Sequence, residues 1–156
     1  GLLVNPKRQI FHISLGDLYL QQGKISEGFQ MLQKSVDLDP KAPFSHWFLA
    51  KAYYSQGKVK EAVEKFEQAL NLGFVIHHAR EGFLVAEILL QEKKFEAINT
   101  ILRQALAFEP YNAKIHAKLA TSYLLLQEKE KAREHAKRAI ELDPNFQKGS
   151  EVFFQY

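Results

Sequence analysis

Histidine is the side chain most often used for metal binding and for proton transfer near neutral pH, and this chain carries six. His12, His46 and His116 recur in one column of a repeating pattern set out below, so they read as scaffold positions. His77 and His78 are adjacent, point apart on any helix, and read as an exposed junction. His135 sits among charged residues and reads as solvated. Cysteine is absent, which excludes thiol nucleophiles, disulfides and cysteine-ligated zinc or iron. The chain has no phosphate-binding P-loop, no H-E-x-x-H and no serine nucleophile elbow. The residues therefore predict no catalytic group, no metal site and no cofactor, and the chain reads as a non-enzyme.

The basic run Lys129, Lys131, Arg133, Lys137 and Arg138 is interleaved with Glu128, Glu130, Glu134 and Glu141. Glu130 to Arg133 and Glu134 to Arg138 have the spacing of favourable helical pairs. Phosphate binding wants a stripe of one sign, so this run reads as a solvated face and nucleic acid is not expected as a partner.

The elements that position these residues follow from the prolines. Pro6 and Pro40 are 34 residues apart, as are Pro110 and Pro144, and Pro40 to Pro110 spans two such periods plus two residues. In the first period His12, Leu15, Gly16 and Tyr19 are followed by Gly28, Leu32 and Pro40. The second has His46, Leu49, Ala50, Tyr53, Ala62 and Phe66, with Phe74 where proline belongs. The third has Gly82, Val85, Ala86 and Leu89, then Ile98, Leu102 and Pro110; the fourth has His116, Leu119, Ala120, Tyr123, Ala132, Ala136 and Pro144. In this order and spacing the chain resembles the tetratricopeptide repeat, a helix-turn-helix unit with the pattern W-x2-L-G-x2-Y, A-x3-F, P. Repeats are placed at 9–42, 43–76, 79–112 and 113–146, with His77 and His78 as an insertion expected to lengthen a helix or shift the stacking there. The resemblance implies an all-α fold, a right-handed superhelix of about four stacked repeats with a concave inner wall.

Close helix packing explains the small residues. Gly16, Ala50, Ala86 and Ala120 on first helices, and Ser35, Ala69, Ala105 and Ala139 on second helices, let paired helices approach. Gly23 and Gly57 mark the first two internal turns, where Lys93 and Gln127 stand in the later repeats. Residues 1–8 read as the end of a preceding repeat, through the match of Leu3-Val4-Asn5-Pro6 to the stretch before Pro40, with Gly1 as a cloning remnant. Residues 147–156, with Val152, Phe153, Phe154 and Tyr156, read as a capping segment, expected to be a short helix against the fourth repeat, or as the start of a further one.

The 156 residues are 46% apolar and 25% charged with a net charge of +3, the composition of a globular chain with a continuous core. Apolar runs such as Phe83 to Ala86 fall far short of the roughly 20 residues that cross a bilayer, so no membrane insertion is expected; the compartment stays open.

The first helices carry more apolar residues than pairing needs. Phe44, Trp47, Lys51 and Tyr54 share a face distinct from that of Leu49, Ala50 and Tyr53. Its counterparts are Ile10, Ile13, Asp17 and Leu20, then Arg80, Phe83, Glu87 and Leu90, then Lys114, Ala117, Thr121 and Leu124. This face is expected to line a groove that holds a peptide or helix of a partner protein, with Trp47, Tyr54 and Phe83 as anchors and Asp17, Lys51 and Glu87 setting polarity. The competing reading packs some of these side chains between neighbouring first helices. Ile13 and Asp17 stand where the terminal-carboxylate clamp of some tetratricopeptide domains needs Lys and Asn, so that clamp is not expected. The function so read is a non-catalytic interaction scaffold. The alternative is the recruiting region of a larger enzyme, such as a glycosyltransferase, or of a secretion or assembly machine.

Overall fold

The computed structural model describes residues 6–155, and the expectations placed on residues 1–5 and on Tyr156 lie outside them. Those residues form eight α-helices: α1 (Pro6–Gln21), α2 (Ile25–Leu38), α3 (Pro43–Ser55), α4 (Val59–Asn71), α5 (Ala79–Gln91), α6 (Phe95–Phe108), α7 (Ala113–Leu125) and α8 (Lys129–Leu142). Two short 3-10 turns follow at Pro144–Gln147 and Glu151–Phe153, and no strand occurs among the described residues. The helices group into two compact units that divide between Phe74 and Val75.

One turn is used five times. After α1, the Gly23 N–H donates to the Leu20 carbonyl (3.0 Å) and the Lys24 N–H to the Tyr19 carbonyl (2.9 Å), with Gly23 at φ 74°. This paired closure satisfies carbonyls that a helix end leaves open, and it requires a left-handed residue. Gly57 (φ 72°) ends α3 and Gly73 (φ 90°) ends α4 in the same way. Lys93 (φ 54°) after α5 and Gln127 (φ 64°) after α7 adopt it without glycine's freedom. The exits differ: Asp39 and Asp143 are held extended ahead of Pro40 and Pro144, and their carboxylates accept from the Lys41 and Asn145 N–H groups at 3.0 Å.

In the first unit α1 meets α2 at two glycines. A Cβ on Gly16 would lie 2.8 Å from Leu32 Cγ, and one on Gly28 would lie 2.7 Å from Leu20 Cδ2 and 3.1 Å from the Gly16 carbonyl oxygen. Ala50 on α3 and Ala62 on α4 are fully buried. Ile13, Leu32, Leu49 and Ala52 form a core that spans α1, α2 and α3. Gln9 ties the same three helices together, its amide donating to the Ser35 carbonyl (3.3 Å) and to Ser45 Oγ (3.2 Å).

In the second unit Ala86, Ala105, Ala120, Ala132 and Ala139 are buried at the helix contacts. The two extra residues near His77 lengthen no helix, since α4 and α5 have 13 residues each; they lie in the loop between them. There His78 caps α5, its Nδ1 accepting from the Glu81 N–H (3.1 Å), while Glu81 Oε2 accepts from the His77 N–H (3.3 Å). Beyond α8 the chain forms 3-10 turns rather than an α-helix, with Phe146 and Phe153 half-buried and Val152 and Phe154 exposed.

A non-glycine residue in the left-handed region costs about 1–2 kcal/mol, partly offset by the extra freedom that glycine has in the unfolded chain. Gln127→Gly is therefore expected to stabilise the protein by about 0.5–1 kcal/mol, read from the urea unfolding midpoint, with Lys93→Gly acting in the same direction.

Candidate partner-binding surface

In the first unit the expected groove residues separate into packing and surface. Trp47 is only 1% exposed: Phe74 stacks flat on its indole (3.9 Å between ring centroids, 10°) and Phe66 meets it edge-on at 4.8 Å. It is a core residue, which corrects its assignment as an exposed anchor. The cause is the residue that replaced the exit proline, since the turn at Gly73 carries Phe74 back over α3. Ile13 is corrected likewise, being buried between neighbouring first helices against Leu49 and Ala52. Asp17 is half-buried and accepts from Gln21 Nε2 at 2.7 Å. Phe44 and Tyr54 remain exposed, Phe44 edge-on to Phe74 at 5.1 Å, and the Lys51 ammonium sits 4.8 Å from the Phe48 ring.

The second unit holds a cleft of about 340 Å³ between α5, α6 and α7. Ala86, Leu90, Phe95, Ile98, Leu102, Ala117, Leu125 and Phe146 make its apolar wall. Glu87, Lys114, Lys118 and Thr121 add the polar groups. Leu90 and Leu125 are about half exposed, as large apolar side chains with no cover. Glu87 is paired with Lys118, and the Lys114 ammonium lies 5.9 Å from the ring of Phe83, which is half-buried. Arg80 is exposed one turn before Phe83. Of the expected face, Glu87, Leu90, Lys114, Ala117 and Thr121 therefore line this cleft; Phe83 adjoins it through Lys114, and Arg80 is not among its lining residues. The sequence reading missed Lys118 and Leu125, which lie four and eleven residues after Lys114 on the cleft side of α7, and Phe146, whose stretch has no helical period.

His46 and His116 serve the scaffold. His46 Nε2 bonds the Pro40 carbonyl (2.8 Å) and His116 Nε2 the Pro110 carbonyl (3.3 Å), each clasping the exit turn before its own helix. At the equivalent column position Gly82 leaves room for Ile76, whose Cδ1 would lie 2.9 Å from a Cβ there. His135 is not solvated: its Nδ1 is 2.9 Å from His116 Nδ1, its ring stacks on Tyr123, and Glu134, Lys137, Arg138 and Glu141 surround the pair. Burial first, and the facing His116 second, push the His135 pKa below the ordinary histidine value, against a smaller opposing pull from Glu134. Ion pairs along α8 and its N-cap include Glu128 with Lys131, Glu130 with Arg133 (3.3 Å) and Arg138 with Glu141 (3.1 Å). Among the described residues no group of three or more His, Asp or Glu side chains is placed to hold a metal ion, and no helix is long and apolar enough to cross a membrane.

Three family models, all described as tetratricopeptide or TPR repeats, match residues 16–57, 43–73 and 89–149. The chain belongs to the tetratricopeptide repeat family. Solved structures agree on the fold. YrrB, a TPR protein with an unusual peptide-binding site, superposes with a TM-score of 0.66 at 17% identity, over 97% of this chain and 79% of that one. MamA gives a TM-score of 0.59 at 17% identity, over 97% and 90% of the two chains. PilF of Pseudomonas aeruginosa gives 0.56 at 23% identity, over 90% and 63%. No curated protein sequence matches the chain. The tetratricopeptide repeats support a protein-interaction scaffold, a fold that is generally non-catalytic.

Two outcomes follow from these side chains. Trp47→Ala removes a buried ring and its stack on Phe74, and is expected to cost about 3–5 kcal/mol in a thermal or denaturant melt. A depressed histidine pKa means the unfolded chain binds the proton more tightly. The stability tied to His135 is therefore whole above the ordinary value of 6.5 and is lost as pH falls below it. The melting temperature of the wild type is expected to drop between about pH 7 and about pH 5, with a shallower slope in His135→Gln.

Proposed function

We propose that this chain is a non-catalytic scaffold that binds a peptide or helix of a partner protein on the exposed face of its first helices, with the cleft of α5, α6 and α7 as the principal seat. The observation that carries this reading is the cleft's composition: an apolar floor with Leu90 and Leu125 uncovered at its sides and a few polar groups at the rim. Ligand sites have this make-up, because apolar burial supplies affinity while sparse polar groups fix register. Phe44, Lys51 and Tyr54 of the first unit are candidate further contacts on the same type of face. The peptide-binding site named for YrrB makes a peptide ligand a reasonable comparison, although the identity of 17% carries over only the fold.

The test is selection of peptides from a displayed library on the full chain, followed by the double variant Leu90→Arg with Leu125→Arg. Both side chains are exposed, so the variant is expected to keep the wild-type melting temperature within a few degrees and to lose selected peptides by at least about tenfold, the loss of an anchor contact. Selected peptides that bind the folded double variant as tightly as the wild type would place the binding surface elsewhere.

A further inference from the structure

The cleft is not electrically neutral at its edge. Of the three charged residues that line it, Glu87 is already engaged by Lys118. Lys114 makes no ion pair among the described residues; its ammonium rests over the Phe83 ring, a contact that leaves its charge uncompensated. Arg80, exposed on α5 one turn before Phe83, likewise makes no ion pair among the described residues. An apolar seat with the unpaired Lys114 ammonium in its lining, and a further exposed cation at Arg80 on α5, selects a ligand that brings both apolar side chains and carboxylates.

We propose, resting on the reading of this cleft as the partner seat, that its ligand is an acidic amphipathic protein segment: aliphatic or aromatic side chains enter between Leu90 and Leu125, and Asp or Glu on the segment's flank pairs with Lys114. Lys114 is the residue that reads the charge. Glu87 and Lys118 are paired through one carboxylate oxygen and offset each other's charge, so Lys114 carries the net positive charge of the cleft lining. A basic segment would meet Lys114 with like charge, and the carboxylate in the lining, Glu87, is already paired with Lys118.

The probes are fluorescein-labelled peptides of about 12–15 residues, long enough for a helix to form on binding. One carries two leucines one turn apart flanked by Glu, one carries the same leucines flanked by Lys, and one is acidic with the leucines replaced by Ser. Anisotropy is read on the full chain, on Lys114→Glu and on the Leu90→Arg, Leu125→Arg double variant. The Glu-flanked peptide is expected to bind wild type about three- to tenfold tighter than the Lys-flanked one at low salt, a ratio set by one or two rim pairs. The ratio is expected to shrink as salt rises to about 0.5 M and to invert in Lys114→Glu. Equal binding of both leucine peptides, abolished in the double variant, would overturn the charge assignment while leaving the cleft as the seat. Binding of the leucine-free acidic peptide as tightly as its parent would overturn the proposal in favour of unspecific attraction. Leucine peptides that bind the double variant unchanged, or that bind neither protein, would overturn both this assignment and the seat itself.

Discussion

Everything in this chain depends on how closely its paired helices approach. At the α1 and α2 contact even a methyl group is excluded, because a Cβ on Gly16 or Gly28 would meet a leucine side chain below 3.0 Å. Alanine serves the same purpose at Ala50 and Ala62 and again at Ala120 and Ala132. A small residue at a fixed place obliges its neighbours to supply the apolar bulk around it, which is why Leu32, Leu49 and Leu119 are fully buried beside them. It also fixes which way the first helix faces. With the Gly16 or Ala50 side turned toward the second helix and a further column turned toward the next first helix, only the remaining columns are left to meet a partner.

That division explains what was legible in the sequence. The repeat and its helices were readable because every copy must satisfy the same close contact, so the small residues, the turn residues and the exit prolines recur at one period. The surface was readable only in part. Ile13 and Trp47 share a helix face with Asp17 and Lys51, and periodicity alone does not tell a column that packs on a neighbouring first helix from one that faces solvent. Trp47 was settled from outside its helix by Phe74, a residue that matters because it breaks the pattern. Phe146 was out of reach for the same reason, as it enters the cleft wall from a 3-10 turn with no amphipathic period.

The histidines show how far residue type can mislead when the scaffold claims it. His46 and His116 spend a ring nitrogen on the carbonyl of the preceding exit turn, and His78 caps α5 with another. Gly82 completes the argument by exception: where Ile76 folds into the space of the ring, the column carries no side chain at all. His116 and His135 face each other at 2.9 Å, and burial together with that facing ring lowers the His135 pKa, so acid is expected to destabilise the fold at this pair.

The central claim is that one set of first-helix positions holds the fold while another set on the same helices meets the partner. A substitution scan of the whole chain that reads folded abundance and peptide capture in parallel tests it most directly. The account predicts that changes at Gly16, Gly28, Trp47, Ala50 and Ala120 lower abundance and capture together. Changes at Leu90, Lys114, Thr121 and Leu125 should lower capture with abundance unchanged. A scan in which no first-helix position affects capture apart from abundance, or in which the capture-specific positions lie on α8, would contradict it.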